Sequence, residues 1–301
     1  MMSSNGKSGN RPRLACEIAD DRVLAGRLSE DSNVVEACSS RELPAGTLVP
    51  DLNESNVRQR DQLLNTLRDT LESVSGRSRD VIAIVPDAAV RVVLLDFETL
   101  PSRAQEAESV VRFRLKKSLP YDVEKAKVSY HAQPAADGGV KVVAAVILST
   151  VLEDYESVFR ESGYSPGFVL PSMLAALGGV EADHPTLAVK VDARTTSIAI
   201  MDKNQVLLFR TLENTRGLGI SGEQVAEEVY PSVVFFQDTY HLNINQILVA
   251  GIPESSGATE ALRSQTGAEV RELVTASQLG SALGGNVPRW RLGGVVGALA
   301  S

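Results

Sequence analysis

Three hundred and one residues carry 30 Lys and Arg against 38 Asp and Glu, a formal net charge of -8, with 43% hydrophobic and 5% aromatic residues. The apolar fraction excludes a disordered chain, and the acidic balance argues against a general nucleic-acid binder, which needs clustered positive charge. No apolar run approaches the roughly 20 residues that cross a bilayer. Two cysteines, Cys16 and Cys38, and a polar amino terminus without an apolar signal core speak for a cytoplasmic chain without a disulfide framework. Three histidines leave little material for a soft-metal site or a His-based triad.

Residues 1–11 read as a flexible Ser/Asn/Gly tail. RLACEIAD, RVLAGRL and VVEAC, separated by polar turns, predict an antiparallel meander. A loop with Pro44, Gly46 and Pro50 follows. Leu63, Leu67 and Leu71 recur every four residues and predict a helix over 55–75, capped by Asn53 or Ser55 and stopped at Gly76. VIAIVP (81–86) reads as a strand buried on both faces. RVVLLDF is a further strand, 103–118 a helix stopped at Pro120, and KVSYHAQ with VKVVAAVILST a hairpin around ADGG. A helix over about 152–162 precedes PGFVLP and SMLAALGG.

The second half opens like the first. TLAVKVDA, TSIAIM and QVLLFRTL form another three-stranded unit with tight turns. Ser221 with Gln224 is a capping-box pattern, and Pro231 is expected to kink or divide the helix that follows. NQILVAG is a buried strand, 258–266 a short helix, AEVREL a strand, and the chain ends in a Gly-rich tail. Gly284-Gly285 and Gly293-Gly294 lack the flanking strand and helix of a phosphate loop and read as tight turns. His131, His184 and His241 are scattered without metal-ligand spacing.

The order meander, helix, strand, small insert, meander, helix, strand resembles the actin-like (ribonuclease H-like) α/β fold of two lobes with a small inserted α+β subdomain. The run from VIAIVPDAAV to KVSYHA, with its Leu119-Pro120-Tyr121 motif, and the earlier LPAGTLVPDLNE are similar to the PilM-type proteins of type IV pilus assembly. The resemblance implies a first lobe over 12–86 and 151–185, an insert over 87–150, and a second lobe over 186–301 whose last residues could return to the first.

In such proteins, tight turns at the end of the first strand of each lobe offer backbone N–H groups to phosphate, and a carboxylate beside them holds hydrated magnesium. The family pattern is Asp-apolar-Gly. Here the sites read Glu17-Ile18-Ala19-Asp20-Asp21 and Asp192-Ala193-Arg194-Thr195-Thr196-Ser197. The carboxylates Glu17 and Asp192 persist, but both glycines are gone. The adenosine-side element reads Gly251-Ile252-Pro253, with a branched residue where the family has glycine. Glu17, Asp192, Thr195, Thr196 and Gly251 thus outline a residual nucleotide cleft. Thr195, Thr196 and Ser197 read either as a hydroxyl cluster for phosphate or as a β-propensity turn entering a strand. ATP with magnesium stays a possible ligand, and the departures predict that hydrolysis is lost.

The resemblance further implies a non-catalytic cytoplasmic scaffold, reaching the inner membrane only through a partner. That partner is a bitopic pilus-assembly protein whose cytoplasmic amino-terminal tail lies between the first lobe and the insert. A pilus motor ATPase and self-association are further partners to test. The groove is expected to be walled by the 81–100 strands and the 103–121 helix-turn, with Val92, Leu94, Phe113, Leu115 and Tyr121 as lining or, equally, as ordinary insert core. The basic end of the 103–118 helix reads as a solvated face, or as a patch for anionic headgroups or an acidic partner. The rival reading is an active actin-like ATPase or a sugar-kinase-like phosphotransferase. A related one is the cytoplasmic half of a type II secretion protein.

Overall fold

The computed structural model describes residues 11–74, 76–135, 138–280 and 287–301. Most of the expected tail and the Gly284-Gly285 pair lie outside the described residues.

Strands β1 (Leu14–Ile18), β2 (Arg22–Leu28) and β3 (Val35–Glu42) form the first meander. Helix α1 (Arg60–Val74) follows and lays Leu63, Leu67 and Leu71 onto that sheet, all fully buried. It starts five residues later than its periodicity suggests. Residues 56–59 are instead tied to the preceding loop: Arg58 and Gln59 donate backbone N–H groups to the Thr47 carbonyl, and Val49 N–H donates to that of Asn56. Ser55, expected as a cap, donates its hydroxyl to Asp154.

Strand β4 (Asp80–Val85) pairs parallel with β1. The insert is a three-stranded sheet of β5 (Arg91–Phe97), β6 (Ala126–Pro134) and β7 (Val140–Leu148) in the order β5-β7-β6. Helix α2 (Ala104–Leu115) buries Ala107, Val111 and Leu115 against one face of it. Helix α3 (Ser149–Glu161) returns the chain to the first lobe, where β8 (Ser165–Pro171) adds parallel to β4. The first sheet is therefore β3-β2-β1-β4-β8, with β8 at an open edge, followed by α4 (Ser172–Leu177).

The second lobe repeats the design. Strands β9 (Thr186–Val191), β10 (Thr195–Asp202) and β11 (Gln205–Glu213) form the meander, and helix α5 (Gly222–Tyr240) covers it. β12 (Gln246–Ala250), helix α6 (Ala258–Thr266) and β13 (Glu269–Glu272) complete the order β11-β10-β9-β12-β13. Both sheets place three antiparallel strands before two parallel additions. This is the expected two-lobe α/β fold. Lys203 and Asn204, both at positive φ, make the two-residue hairpin turn between β10 and β11.

The Ser221 capping box forms in full. Pro231 does not divide α5, which is continuous across it. The Gly293-Gly294 pair is not a tight turn: it opens helix α7 (Gly293–Ala300), which packs on β1, β2 and α4 of the first lobe. Val295, Val296 and Leu299 enter the core between the lobes.

Candidate functional site

The two meander turns face each other across the cleft. β1 delivers Glu17, and Arg22 opens β2. β9 delivers Lys190, and Asp192 begins the next turn. Glu17, Arg22 and Lys190 are each no more than 2% exposed. Period-2 alternation places Lys190 and Asp192 on one face of their strand end. The Lys190 ammonium contacts Asp192 and lies 3.1 Å from a Glu17 carboxylate oxygen. Arg22 donates to Asp21 at 2.7 Å and, across the cleft, to Asp192 at 3.2 Å. Ser172 at the start of α4 donates its hydroxyl to Glu17. Buried Asp87, just after β4, accepts from the Met173 N–H at 3.0 Å and the Ser197 hydroxyl at 2.7 Å.

The electrostatics follow from this packing. Burial pulls the Lys190 ammonium down, but Asp192, Glu17 and Asp87 outweigh it and hold the proton more tightly than on a free lysine. Burial raises Asp192, and Lys190 with Arg22 more than reverse that, leaving it below the ordinary aspartate value. Asp87 goes the other way: burial lifts it to about 6 despite Lys190 and its two hydrogen bonds. Asp20 also rises to about 6, through burial and then the Asp21 and Asp192 charges.

This constellation does not fit a magnesium–triphosphate. Glu17 and Asp192 are already engaged by two internal cations. The cavity between the turns, lined by Glu17, Ala19, Asp20, Asp192 and Thr195, is about 10 Å³, space for roughly one water. A larger cavity of about 500 Å³ opens at the mouth of the cleft, beside Asp51, Arg91, Arg194 and Arg210. Among the described residues no His, Cys, Asp or Glu group gathers as a metal site.

The other expected residues fall as follows. Thr195, Thr196 and Ser197 are buried at the start of β10, and the Thr196 hydroxyl has no partner. Gly251 sits at φ +80, where an added Cβ would lie 1.8 Å from the Val191 carbonyl oxygen, so close strand approach requires it. Ile252 does not wall the cleft but packs into the second-lobe core. Arg22, Asp87, Ser172 and Lys190 were not singled out by sequence, whereas Ser197 was read there only with the threonines before it. The available signal was Lys190, a cation inside the otherwise apolar strand TLAVKV, two residues from Asp192.

The five expected partner-binding residues do not gather in one groove. Leu115 is fully buried in the insert core, because it continues the Ala107–Val111 stripe. Tyr121 is half-buried between the insert and first-lobe cores, its hydroxyl donating to the Val146 carbonyl at 3.3 Å. Val92 lines the cleft-mouth cavity, Leu94 is half-buried on the same strand, and Phe113 is 70% exposed on α2.

The apolar groove between first lobe and insert lies on the other side, between the open edges of β6 and β8. Two adjoining cavities of about 150 and 420 Å³ share Ser129, Ala145, Val169, Leu170 and Pro171. Phe168 flanks the larger part, with the Arg11 guanidinium 5.5 Å over its ring.

No protein-family model and no curated protein matches this sequence. Solved structures do. The chain is similar to one in the PilM-PilN type IV pilus biogenesis complex at 17% identity and TM-score 0.76, covering 96% of this chain and 98% of that one. It is also similar to the cytoplasmic domain of EpsL, an inner membrane component of the type II secretion system of Vibrio cholerae (11% identity, TM-score 0.50, 88% and 98% covered). A third is the ethanolamine utilization protein EutJ from Carboxydothermus hydrogenoformans (9% identity, TM-score 0.51, 96% and 89% covered). At these identities the likeness establishes the fold, the actin-like two-lobe arrangement.

Proposed function

We propose that this protein is a non-catalytic scaffold of type IV pilus or related secretion assembly, binding the cytoplasmic tail of a bitopic inner-membrane partner. The observation that carries the reading is the apolar groove between two open edge strands, in a chain that matches one of the PilM-PilN complex along nearly its whole length. An extended tail can add as a strand to β8 or β6 and place alternate apolar side chains against Val169, Leu170 and Ala145. The ion-paired cleft supports the non-catalytic part: a phosphate seated between the two turns would have to displace Lys190 and Arg22. None of the described helices is long and apolar enough to span a membrane, which suits a chain that reaches the bilayer through its partner.

The test is binding of a synthetic peptide of the cytoplasmic amino-terminal tail of a bitopic pilus-assembly protein, measured by fluorescence anisotropy. Ser129 is exposed on β6 and borders both halves of the groove, so Ser129→Arg fills it without touching the core. Affinity should fall at least about tenfold, the loss of one well-packed anchor, while Phe113→Asp leaves it unchanged. Failure of the wild type to bind sinks the tail-binding reading. Micromolar affinity for labelled ATP with magnesium sinks the non-catalytic one.

A further inference from the structure

The second sheet ends on β11, whose outer edge pairs with no strand among the described residues. Where its ladder with β10 begins, the Asn214 N–H donates to the Arg194 carbonyl at 2.7 Å. Antiparallel pairs alternate between hydrogen-bonded and open. In the register from Thr195↔Glu213 to Ala199↔Phe209, Leu212 and Arg210 therefore turn their backbone groups to β10, and Phe209, Thr211 and Glu213 turn theirs outward. Val206, beyond the irregularity at Ile200/Met201, also faces outward, and there the edge is already paired. The Gln133 amide of β6 donates to its carbonyl at 2.6 Å and accepts from its N–H at 3.2 Å, as a neighbouring strand would. Phe209, Thr211 and Glu213 have no such partner among the described residues.

These three residues, with Arg210 and Leu212, line one side of the cavity of about 500 Å³ at the mouth of the cleft. Five strand residues span about 17 Å, so that wall is long and narrow. Opposite it stand the 50–53 loop, Asp87-Ala88 and the start of β5. Three guanidinium groups border the space: Arg91 from β5, Arg194 from the β9–β10 turn and Arg210 from β11. None forms an ion pair among the described residues; Arg210 rests on the Phe235 ring at 5.1 Å and reaches the Ser232 hydroxyl at 3.4 Å. Two of the cavity's carboxylates are held internally. Asp51 accepts the Asn53 and Glu54 N–H groups at 2.7 and 3.1 Å, and Asp87 accepts from Met173 and Ser197. Exposed Glu213 is left facing three guanidinium groups.

We propose that an acidic peptide segment binds here in extended form, adding as a strand to β11 and presenting carboxylates to Arg91, Arg194 and Arg210. Main-chain pairing supplies affinity, and the guanidinium groups select for acidic side chains. The site is separate from the apolar groove, which lies between β6 and β8. It is separate from the adenosine-side element too. Gly251 follows β12, and β10 and β9 stand between β12 and β11, so about 14 Å of sheet intervene.

The test is fluorescence anisotropy of the full chain with a labelled decapeptide of alternating Glu and Val. Two peptides of equal length serve as controls, one alternating Lys and Val, the other Glu and Pro. Proline keeps the charge but cannot pair as a strand. The Glu-Val peptide should bind, and both controls should bind at least about tenfold more weakly. Arg194→Gln should weaken the Glu-Val peptide about tenfold, the loss of one charge-assisted hydrogen bond. Thr211→Pro should abolish binding: the Thr211 N–H points away from β10, so the native ladder loses no bond while an added strand does. Thermal melts check that both variants fold. Amide exchange in the wild type gives a readout without substitution, since the Phe209, Thr211 and Glu213 amides should slow when the peptide is bound. Ser129→Arg, which fills the other groove, should leave this binding unchanged, so this site and the tail groove can fail independently. No binding of the Glu-Val peptide, equal binding of either control, unaltered exchange at the three amides, or loss of binding in Ser129→Arg overturns the proposal.

Discussion

Lys190 is the residue on which the cleft turns. Its ammonium is buried, and both Glu17 and Asp192 depend on it. Lys190→Met keeps the volume but leaves buried Glu17 without a cation and Asp192 with Arg22 alone. Breaking a buried pair in this way costs about 3–5 kcal/mol, and urea titration should find that loss. Lys190→Met with Glu17→Gln and Asp192→Asn should recover much of it, since the uncompensated charges are gone. A loss below about 1 kcal/mol in the single variant would mean that the cleft is wetter than its packing implies. Asp87 gives a second expectation, in pH. Its carboxyl titrates at about 6, above the 3.8 of the ordinary group. Between those values the native state holds a proton that the unfolded chain has released. Its contribution to stability is therefore fullest below about pH 4 and is lost as pH rises to 6. Lys190, Asp192, Ser197 and the Met173 amide all face it, and Asp192 runs the other way, its contribution fading only below the ordinary aspartate range. Asp87→Asn mimics the protonated form. The stability difference between variant and wild type should change by on the order of 1–3 kcal/mol between pH 4 and 7 and be level above that; a difference independent of pH refutes the assignment. This network was only half legible. Glu17 and Asp192 stand at strand ends, where a motif can be read. Lys190 shares a strand end with Asp192, but its pairing with Glu17 and that of Arg22 with Asp192 cross the cleft and depend on two lobes closing.

At the scale of elements, α7 shows how a glycine pair can serve packing. The helix begins against the Glu17 carboxylate, and a Cβ at Gly294 would lie 2.7 Å from its unpartnered oxygen. Glu17 cannot retreat freely, because Ser172 and Lys190 hold its other oxygen. Gly294→Ala should therefore cost about 1–3 kcal/mol, the usual range for overpacking. Gly219→Ala, where an added Cβ meets nothing within 4 Å, is the control and should be near neutral. Equal thermal melts for the two variants would show that the close approach has no energetic weight. The elements readable from sequence were those with a period. Leu63, Leu67 and Leu71 announce α1, and the paired meanders announce both sheets. Those that were missed owe their state to tertiary contacts. α7 is apolar all round, so it has no stripe to read. The start of α1 is set by the Thr47 carbonyl, not by a local cap. The residues expected along the groove wall are spread apart for a related reason. Leu115 and Phe113 are two positions apart on a helix and so face different ways, one to the core and one to solvent.

At the scale of the molecule, polar links among the described residues cross between the lobes, including Arg22 to Asp192, Lys190 to Glu17, Ser197 to Asp87 and the Gly280 N–H to the Val35 carbonyl. Helix α7 adds an apolar link, following the second lobe in sequence and packing on the first-lobe sheet. All of these contacts are made by the protein's own groups. A ligand shifts a conformational equilibrium only by its differential affinity for the two states. If internal cations already do what a bound nucleotide and metal would do, ATP has little left to contribute to closure. The lobes should therefore be closed in the free protein. Small-angle scattering should give a radius of gyration near the about 19 Å expected for a compact chain of this length, unchanged by millimolar ATP with magnesium. Substituting Arg22→Met and Lys190→Met together removes both ion pairs but leaves α7 in place. That variant should show a larger radius and faster amide exchange in both meander turns, with exchange in α1 and α5 unaltered. Compaction of the wild type on adding ATP would contradict this, because it would require an open state that these links exclude, and it would return the active ATPase to the front.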